Sequence, residues 1–295
     1  FGIDSYYFSK QFQSVAHCEL DAKLSTLVNH NFSTLHCTNI TCHQGDSTEI
    51  LKQLNQKFDC IYVDPSRRNE VKGKVFLLAD CLPNVVELHD FYFQFTDTLL
   101  IKTAPMLDLH AGLLELKNVS EIHIVAVDNE VKEVLWKLEK NETQTPIVFA
   151  VNIEKGTTTT TKIDWNQSYQ AQLSLPKKYL FEPNAALMKS GGFEAVSELF
   201  GAGKLHLNTH LYTSEELYTN FAGRTFEIIE EGSLEKKWIQ RVLPGRRANI
   251  STRNFPINPD EIRKKFQLKD GGELTLFAFR DQANKNKVVL AKKIS

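Results

Sequence analysis

The sequence predicts an α/β fold: a doubly wound parallel sheet in the first half, followed by a smaller α+β region. Three observations lead there. Short apolar runs alternate with helix-periodic segments as far as about residue 155, the pattern of strands whose two faces are both covered by helices. Beyond Pro176 that rhythm gives way to longer helical and shorter β-like stretches. The charge divides at the same place. Residues 1–175 hold 15 Lys and Arg against 22 Asp and Glu, whereas residues 176–295 hold 20 against 14. A net charge of −1 therefore hides an acidic half and a basic half, and such an asymmetry suits a polyanionic partner held by the basic part.

The elements follow in order. Ser5–Phe12 reads as a helix, and Val15–Leu20 as a short strand ending in acids. Asp21–Asn29 has Leu24, Leu27 and Val28 on one helical face. Thr38–His43 is a candidate strand and Ser47–Leu54 a helix after a Gly-Asp turn. Phe58–Val63 is a β-rich run stopped at Asp64-Pro65, because proline cannot donate to a ladder. Leu82–Leu88 reads as helix, Thr98–Ile101 as strand, Leu109–Leu116 as helix, Glu121–Val127 as strand, Glu130–Leu138 as helix and Ile147–Ile153 as strand. The threonine run at 157–161 looks like a linker or a loose hairpin. Further on, Ala185–Leu199 reads as one helix, with β-like runs at Leu205–Tyr212 and Thr225–Glu230. The tail reads as strand (Ala248–Thr252), helix (Pro259–Phe266) and two strands (Glu273–Phe279 and Lys287–Lys292). The expected divisions are 1–155 for the sheet domain, 156–178 for a linker, and 179–244 and 245–295 for two small subdomains. A doubly wound sheet needs a strand feeding its first helix, and only Phe1-Gly2-Ile3-Asp4 precede it. The expectation is an N-terminally truncated product that lacks this first strand.

Several classes are argued down. No stretch approaches the roughly 20 apolar residues of a membrane helix, and no basic start followed by an apolar run marks a secretory signal. The five cysteines are odd in number and form no Cys-x-x-Cys pair. That favours reduced thiols, a cytoplasmic setting and no zinc. The nine histidines show no metal-ligand spacing.

The candidate chemistry lies at strand ends, where ligands sit in doubly wound sheets. Gly2 and Asp4 come first, then Glu19 with Asp21, Gly45-Asp46-Ser47, and Asp64-Pro65-Ser66-Arg67-Arg68. Taken alone, each is more often a turn or a helix cap than a ligand. Their order and spacing together suit a cationic, amine-bearing adenosyl ligand.

With these residues the sequence resembles a class I, Rossmann-like S-adenosylmethionine-dependent methyltransferase that begins in the last residues of its glycine-rich motif, Gly2-Ile3-Asp4. The resemblance implies cofactor binding by Gly2, Asp4, Glu19, Asp46, Ser47 and Asp64. Glu19 would meet the ribose hydroxyls, and Asp46, with Ser47, the adenine amino group. The Asp64–Arg68 run matches the position where many nucleic-acid methyltransferases carry Asn/Asp-Pro-Pro and an aromatic. Here Ser66 replaces the second proline and Arg67 the aromatic, a form closer to that of some RNA methyltransferases. More narrowly, the chain is similar to a bacterial methyltransferase family with Asp-Pro-Ser/Ala-Arg-Arg, a ferredoxin-like segment (179–244) and a C-terminal THUMP-like domain (245–295). The runs Glu182-Pro183-Asn184-Ala185-Ala186-Leu187-Met188-Lys189-Ser190-Gly191 and Arg253-Asn254-Phe255-Pro256 carry that likeness. THUMP domains imply RNA, typically tRNA.

The expected reaction is methylation of a base nitrogen in tRNA or rRNA, with Asp64, Pro65, Ser66 and Arg67 as the catalytic loop and Asp64 as proton acceptor. Methylation at carbon 5 of a pyrimidine would need a cysteine nucleophile, and the Thr98–Lys102 strand leads into Thr103-Ala104-Pro105-Met106 without one. Arg67 and Arg68 would either grip a phosphate or pair with a neighbouring carboxylate, and Lys102 has the same two readings. RNA contacts are expected from Arg68, Lys236, Lys237, Arg241, Arg246, Arg247 and Arg253, unless the basic stretch is only a solvated face. Trp238 either stacks on a nucleotide or belongs to the core. Two rivals stand beside this reading. A nicotinamide-dependent oxidoreductase would want Gly-x-Gly-x-x-Gly, and a degenerate methyltransferase fold would bind RNA without catalysis.

Overall fold

The computed structural model describes residues 1–67 and 77–294. In chain order the first elements are α1 (Ile3–Phe8), β1 (Val15–Glu19), α2 (Ala22–Thr34), β2 (Ile40–Gln44), α3 (Ser47–Leu54) and β3 (Ile61–Val63). A two-residue pair, β4 (Ser66–Arg67) and β5 (Cys81–Leu82), is followed by α4 (Val85–Tyr92), β6 (Thr98–Thr103) and α5 (Leu109–Glu115). Next come β7 (Val119–Val127), β8 (Glu130–Glu139), β9 (Ile147–Glu154), β10 (Thr157–Asp164), β11 (Tyr179–Pro183), α6 (Ala185–Ser190) and α7 (Phe193–Phe200). The chain continues through β12 (Gly203–Lys204), β13 (Tyr212–Ser214), β14 (Gly223–Gly232), α8 (Lys236–Val242), β15 (Asn249–Arg253), α9 (Pro259–Phe266), β16 (Leu274–Arg280) and β17 (Asn286–Lys293). This is a mixed α/β fold with two many-stranded sheets.

The chain divides into two compact units. One holds residues 1–61 with 89–98, and the other holds 62–88 with 99 onward. In the first, β1 and β2 pair in parallel from Val15↔Ile40 to Glu19↔Gln44, joined by α2 as the crossover that parallel strands require. Asp21 caps α2 by accepting from the Leu24 N–H at 2.8 Å, and the helix buries Val28 and Phe32. Asp46 caps α3 in the same way, and Asn55 ends it in the left-handed region.

The second unit is built on two sheets. The six-stranded one runs β10-β9-β7-β8-β6-β3. Its core includes Leu99, Ile101, Ile122, Ile124, Val134, Trp136, Leu138 and Val148, all fully buried. The expected helix at 130–138 is in fact β8. Valines and leucines at 131, 134, 135 and 138 mimic helical spacing, but the side chains that are buried are Val134, Trp136 and Leu138, which alternate. Asp128 and Asn129 both have positive φ, 48° and 61°. Such a two-residue turn matches the twist of a hairpin, so β8 folds back antiparallel on β7. The threonine run becomes β10, in a hairpin with β9. The single helix expected at 185–199 is two, broken where Gly191 takes φ 70°. The run expected as a strand at 205–212 is mostly a loop, with Leu205 and Leu211 turned into the core.

The seven-stranded sheet runs β12-β13-β11-β14-β17-β16-β15. Alternate residues of its central strands feed two cores. Leu276, Ala278, Val288 and Leu290 pack with Ile239 of α8 and Ile262 and Phe266 of α9. Phe277, Phe279, Val289 and Ala291 pack on the other face with Leu180, Phe226, Leu205 and Leu211. Both faces are covered, so these strands read as continuous apolar runs rather than alternating ones.

A buried polar link pins the six-stranded sheet: Trp136 Nε1 donates to Thr103 Oγ1 at 2.9 Å, and Thr103 Oγ1 donates to the Val134 carbonyl at 3.3 Å. Thr103→Val keeps the shape and removes the acceptor that buried Trp136 Nε1 uses. It should destabilise the protein by about 1–3 kcal/mol, read from the urea unfolding midpoint, and an unchanged midpoint would contradict the assignment.

Candidate functional site

In the first unit the carboxyl ends of β1 and β2 lie side by side, with Glu19 opposite Gln44. The Glu19 carbonyl accepts from the Gly45 N–H at 2.9 Å, which draws the Gly45-Asp46-Ser47 turn against the end of β1. Glu19 Oε1 accepts from the Asp21 N–H at 2.9 Å. Asp46 Oδ1 accepts from the Thr48 N–H at 2.8 Å and from the Thr48 hydroxyl. The Thr48 hydroxyl and N–H together hold the Asp46 carboxyl below its ordinary value. Ser47 opens α3, and facing it is the phenol of Tyr92, buried and pushed up to about 12 by that burial. Nothing in the sequence marked Tyr92, which lies beyond the helix expected at 82–88 as one aromatic among several.

Gly2 precedes α1 with φ 79°, and a Cβ there would stand 2.6 Å from the Phe32 ring and 2.9 Å from Val28. Only glycine lets this turn approach α2 so closely. Asp4 lies in the first turn of α1. The structure thus gathers Glu19, Asp46 and Ser47 at one pair of strand ends, and sets Gly2 against the face of the helix between those strands. Cys18, on β1, is pushed up to about 11 by burial, which makes it a protonated, inert thiol at neutral pH.

In the second unit Asp64 follows β3, and its Oδ2 receives Lys102 Nζ from β6 at 2.9 Å. Lys102 Nζ also stands 5.9 Å from the centre of the Tyr62 ring. Pro65 and Ser66 continue from Asp64, and Ser66 pairs with Leu82 across β4 and β5. The Glu115 carboxylate holds the return of the loop by accepting the Leu78 and Ala79 N–H groups at 3.0 and 3.1 Å. Arg68 and the Arg67 side chain lie outside the described residues.

The basic residues of the last third do not form one patch of like character. Lys236 and Lys237 open α8 and are exposed. Arg241 binds Glu230, which also accepts Trp238 Nε1 at 2.9 Å, and Trp238 packs against the core. Arg246 donates to Gln267 at 2.9 Å. Arg247 bridges to Lys269 through its backbone and lies along Gly271. Arg253 lies at the end of β15 with Nη2 on Glu182 at 2.6 Å. Among the described residues no three His, Cys, Asp or Glu come together as a metal site, and no helix is long and apolar enough to cross a membrane.

Comparison with known proteins places this geometry. Residues 179–221 match a family described as a ferredoxin-like domain, and residues 223–293 one described as THUMP domain-like. No curated protein matches the chain. The crystal structure of a "putative methyltransferase" from Porphyromonas gingivalis W83 superposes with a TM-score of 0.88, at 31% identity, over 100% of this chain and 75% of that one. The chain belongs to the same family as that protein. In this family member the ferredoxin-like and THUMP-like stretches share a single sheet, since β11 of the one pairs directly with β14 of the other.

The Asp64–Lys102 pair is half exposed, with the Asp64 side chain 51% accessible and that of Lys102 21%. Pairs of this kind contribute about 0–1 kcal/mol. Lys102→Met should therefore shift the unfolding free energy by no more than about 1 kcal/mol. A loss several times larger would mark the pair as a structural tie rather than part of a site.

Proposed function

We propose that this protein is an S-adenosylmethionine-dependent methyltransferase that modifies a base nitrogen of RNA, either tRNA or rRNA. The observation that carries the reading is the likeness, at 31% identity along the whole chain, to the Porphyromonas gingivalis protein. The THUMP-like match at 223–293 supports RNA as the substrate, together with the excess of Lys and Arg over acids in residues 176–295.

The residues of the first unit suit the cofactor. Gly2 leaves a bare backbone turn where any side chain would meet Phe32. Glu19 spends Oε1 on the Asp21 N–H and keeps Oε2 for a pair of hydroxyls. Asp46, its charge secured by Thr48, and Ser47 would take the amino end of an adenine, with Asp4 near the turn. The cofactor supplies an electrophilic methyl group carried on a sulfonium.

Asp64 and its loop serve the acceptor. Lys102 fixes the carboxylate through Oδ2, so the second oxygen is oriented to hold an N–H of the base and take its proton as the nitrogen becomes methylated. Pro65 stops the strand there, and Ser66 pairs with Leu82. Arg67 and Arg68 would grip the phosphate beside the target base. Lys236, Lys237, Arg246 and Arg247 would hold more distant backbone. Arg241 has its charge matched by Glu230 and adds little to that grip.

Titration of S-adenosylhomocysteine into the intact protein, followed by calorimetry, tests the cofactor assignment. Glu19→Ala and Asp46→Ala should each weaken binding about ten- to a hundredfold, the loss of one charge-assisted hydrogen bond. Preference for NADH, or unchanged affinity in both variants, would overturn it.

A further inference from the structure

Glu182 is the one acid of β11, and its side chain is only 4% exposed. A buried carboxylate is costly unless paired, and this one is paired twice. Arg224 Nη2, from the start of β14, and Arg253 Nη2, from the end of β15, both donate to it, one on each oxygen. Strand register explains the meeting. Glu182 lies opposite Arg224 as Leu180 lies opposite Phe226, and Arg253 lies opposite Phe279 as Ser251 lies opposite Phe277. Residues directly opposite share a face, so all three charged side chains stand on the face filled by Leu180, Phe226, Phe277 and Phe279. In the pairing order β15 is four strands from β11, which in a flat sheet would separate them by about 19 Å, at roughly 4.8 Å per strand. Yet the short Ser251 hydroxyl reaches Glu182 Oε1 at 3.3 Å. The sheet therefore curls until its concave face closes, and the three charges stand at the mouth of that closure.

The charge balance there differs from that at Arg241 and Arg263. Arg241 faces one carboxylate, Glu230, and Arg263 faces two, Asp260 and Asp270. At Glu182 two guanidinium groups share one carboxylate, which leaves a surplus positive charge. Each guanidinium has five N–H donors. Among the described residues Arg224 bonds Glu182, and Arg253 bonds Glu182 and the Thr252 carbonyl, the latter at 3.1 Å. Both side chains remain accessible, at 48% and 38%, while their inner ends are fixed. Arg224 is steadied further by the Phe226 ring, 5.9 Å away. A rigid pair of guanidinium forks with a surplus charge and outward donors is the arrangement that takes a phosphate oxygen pair bidentately.

We propose that Arg224 and Arg253, held side by side on buried Glu182 at the mouth of the curled sheet, form a seat for one phosphodiester of an RNA backbone. The inference rests on the RNA reading above and adds Arg224, which is not among the residues the sequence offered for RNA contact. Glu182 is a positioning residue here, since it touches the arginines and not the phosphate.

The test is arginine labelling by phenylglyoxal in the intact protein, with and without bulk tRNA, read residue by residue by mass spectrometry. Bound tRNA should slow labelling of Arg224 and Arg253 and leave Arg263 unchanged. In parallel, Arg224→Ala should weaken tRNA binding about tenfold and flatten the slope of log affinity against log salt by about 0.7–0.9, the share of one phosphate contact. Should Arg224→Ala fail to fold, labelling of the wild-type protein decides. Salt-dependent tRNA binding that protects neither arginine would overturn this seat and leave the RNA reading standing. No tRNA binding even at low salt would overturn both.

Discussion

The second unit depends on one segment, residues 182–191, and above all on its first residue. Glu182 closes the seven-stranded sheet by tying β11 to β14 and β15. Burying a carboxylate without partners is costly, so the curl that brings β15 to β11 and the two arginines on Glu182 go together. The chain then passes through Pro183 to Asn184, which caps α6 by accepting the Leu187 N–H at 2.9 Å. Helix α6 packs on β7, β8 and β9 of the other sheet. The Ala185 N–H donates to Asn129 in the β7–β8 turn at 2.7 Å, and Lys189 Nζ donates to the Leu107 carbonyl at 2.7 Å. Ten residues thus fasten the THUMP-like sheet to the sheet that carries Asp64 and Lys102. A stretch that resembles a family signature is, physically, a joint.

That joint bears on function. Leu107 belongs to the loop after β6, the strand whose Lys102 holds Asp64. Lys189 reaches this loop from the helix that follows β11, and burial lowers its affinity for a proton. Through α6 the Glu182 cluster of the seven-stranded sheet and the Asp64–Lys102 pair of the six-stranded sheet are joined by packed, hydrogen-bonded structure. The six-stranded sheet carries Asp64 and Lys102, and the curled sheet carries Arg224 and Arg253.

Much of this was legible in the sequence, and the failures have physical causes. The strands at 98–103, 119–127 and 147–154 and the helix at 47–54 announced themselves by apolar runs and an Asp cap. Segment 130–139 did not, because its valines and leucines satisfy both periodicities. The decisive signal was the Asp128-Asn129 turn, which demands two positive φ values. The helix at 185–200 breaks at a Gly-Gly pair visible in the sequence. Acids at strand ends were readable as candidates, but not as partners. Asp46 is a helix cap and a candidate ligand at once, since the turn that places its cap on α3 is drawn against the end of β1. Ion pairing was legible for Lys102 only as one of two readings, and without its partner. Glu182 gives no sign in sequence that it holds Arg253 from 71 positions away, nor Lys102 that it would meet Asp64. The basic stretch looked uniform, whereas its members range from a matched pair at Arg241 to the doubly shared carboxylate of Arg253.

The central claim is that the chain's family likeness and its charge pattern belong to an enzyme acting on RNA bases. It is tested most directly by incubating the intact protein with bulk tRNA or rRNA and S-adenosylmethionine labelled in its methyl group, then digesting the RNA to nucleosides for mass spectrometry. The account predicts label in a single nucleoside species, on a ring or exocyclic nitrogen, and its loss with Asp64→Asn while the fold is retained. Label on a ring carbon or a ribose oxygen, or no transfer to either RNA, would contradict it.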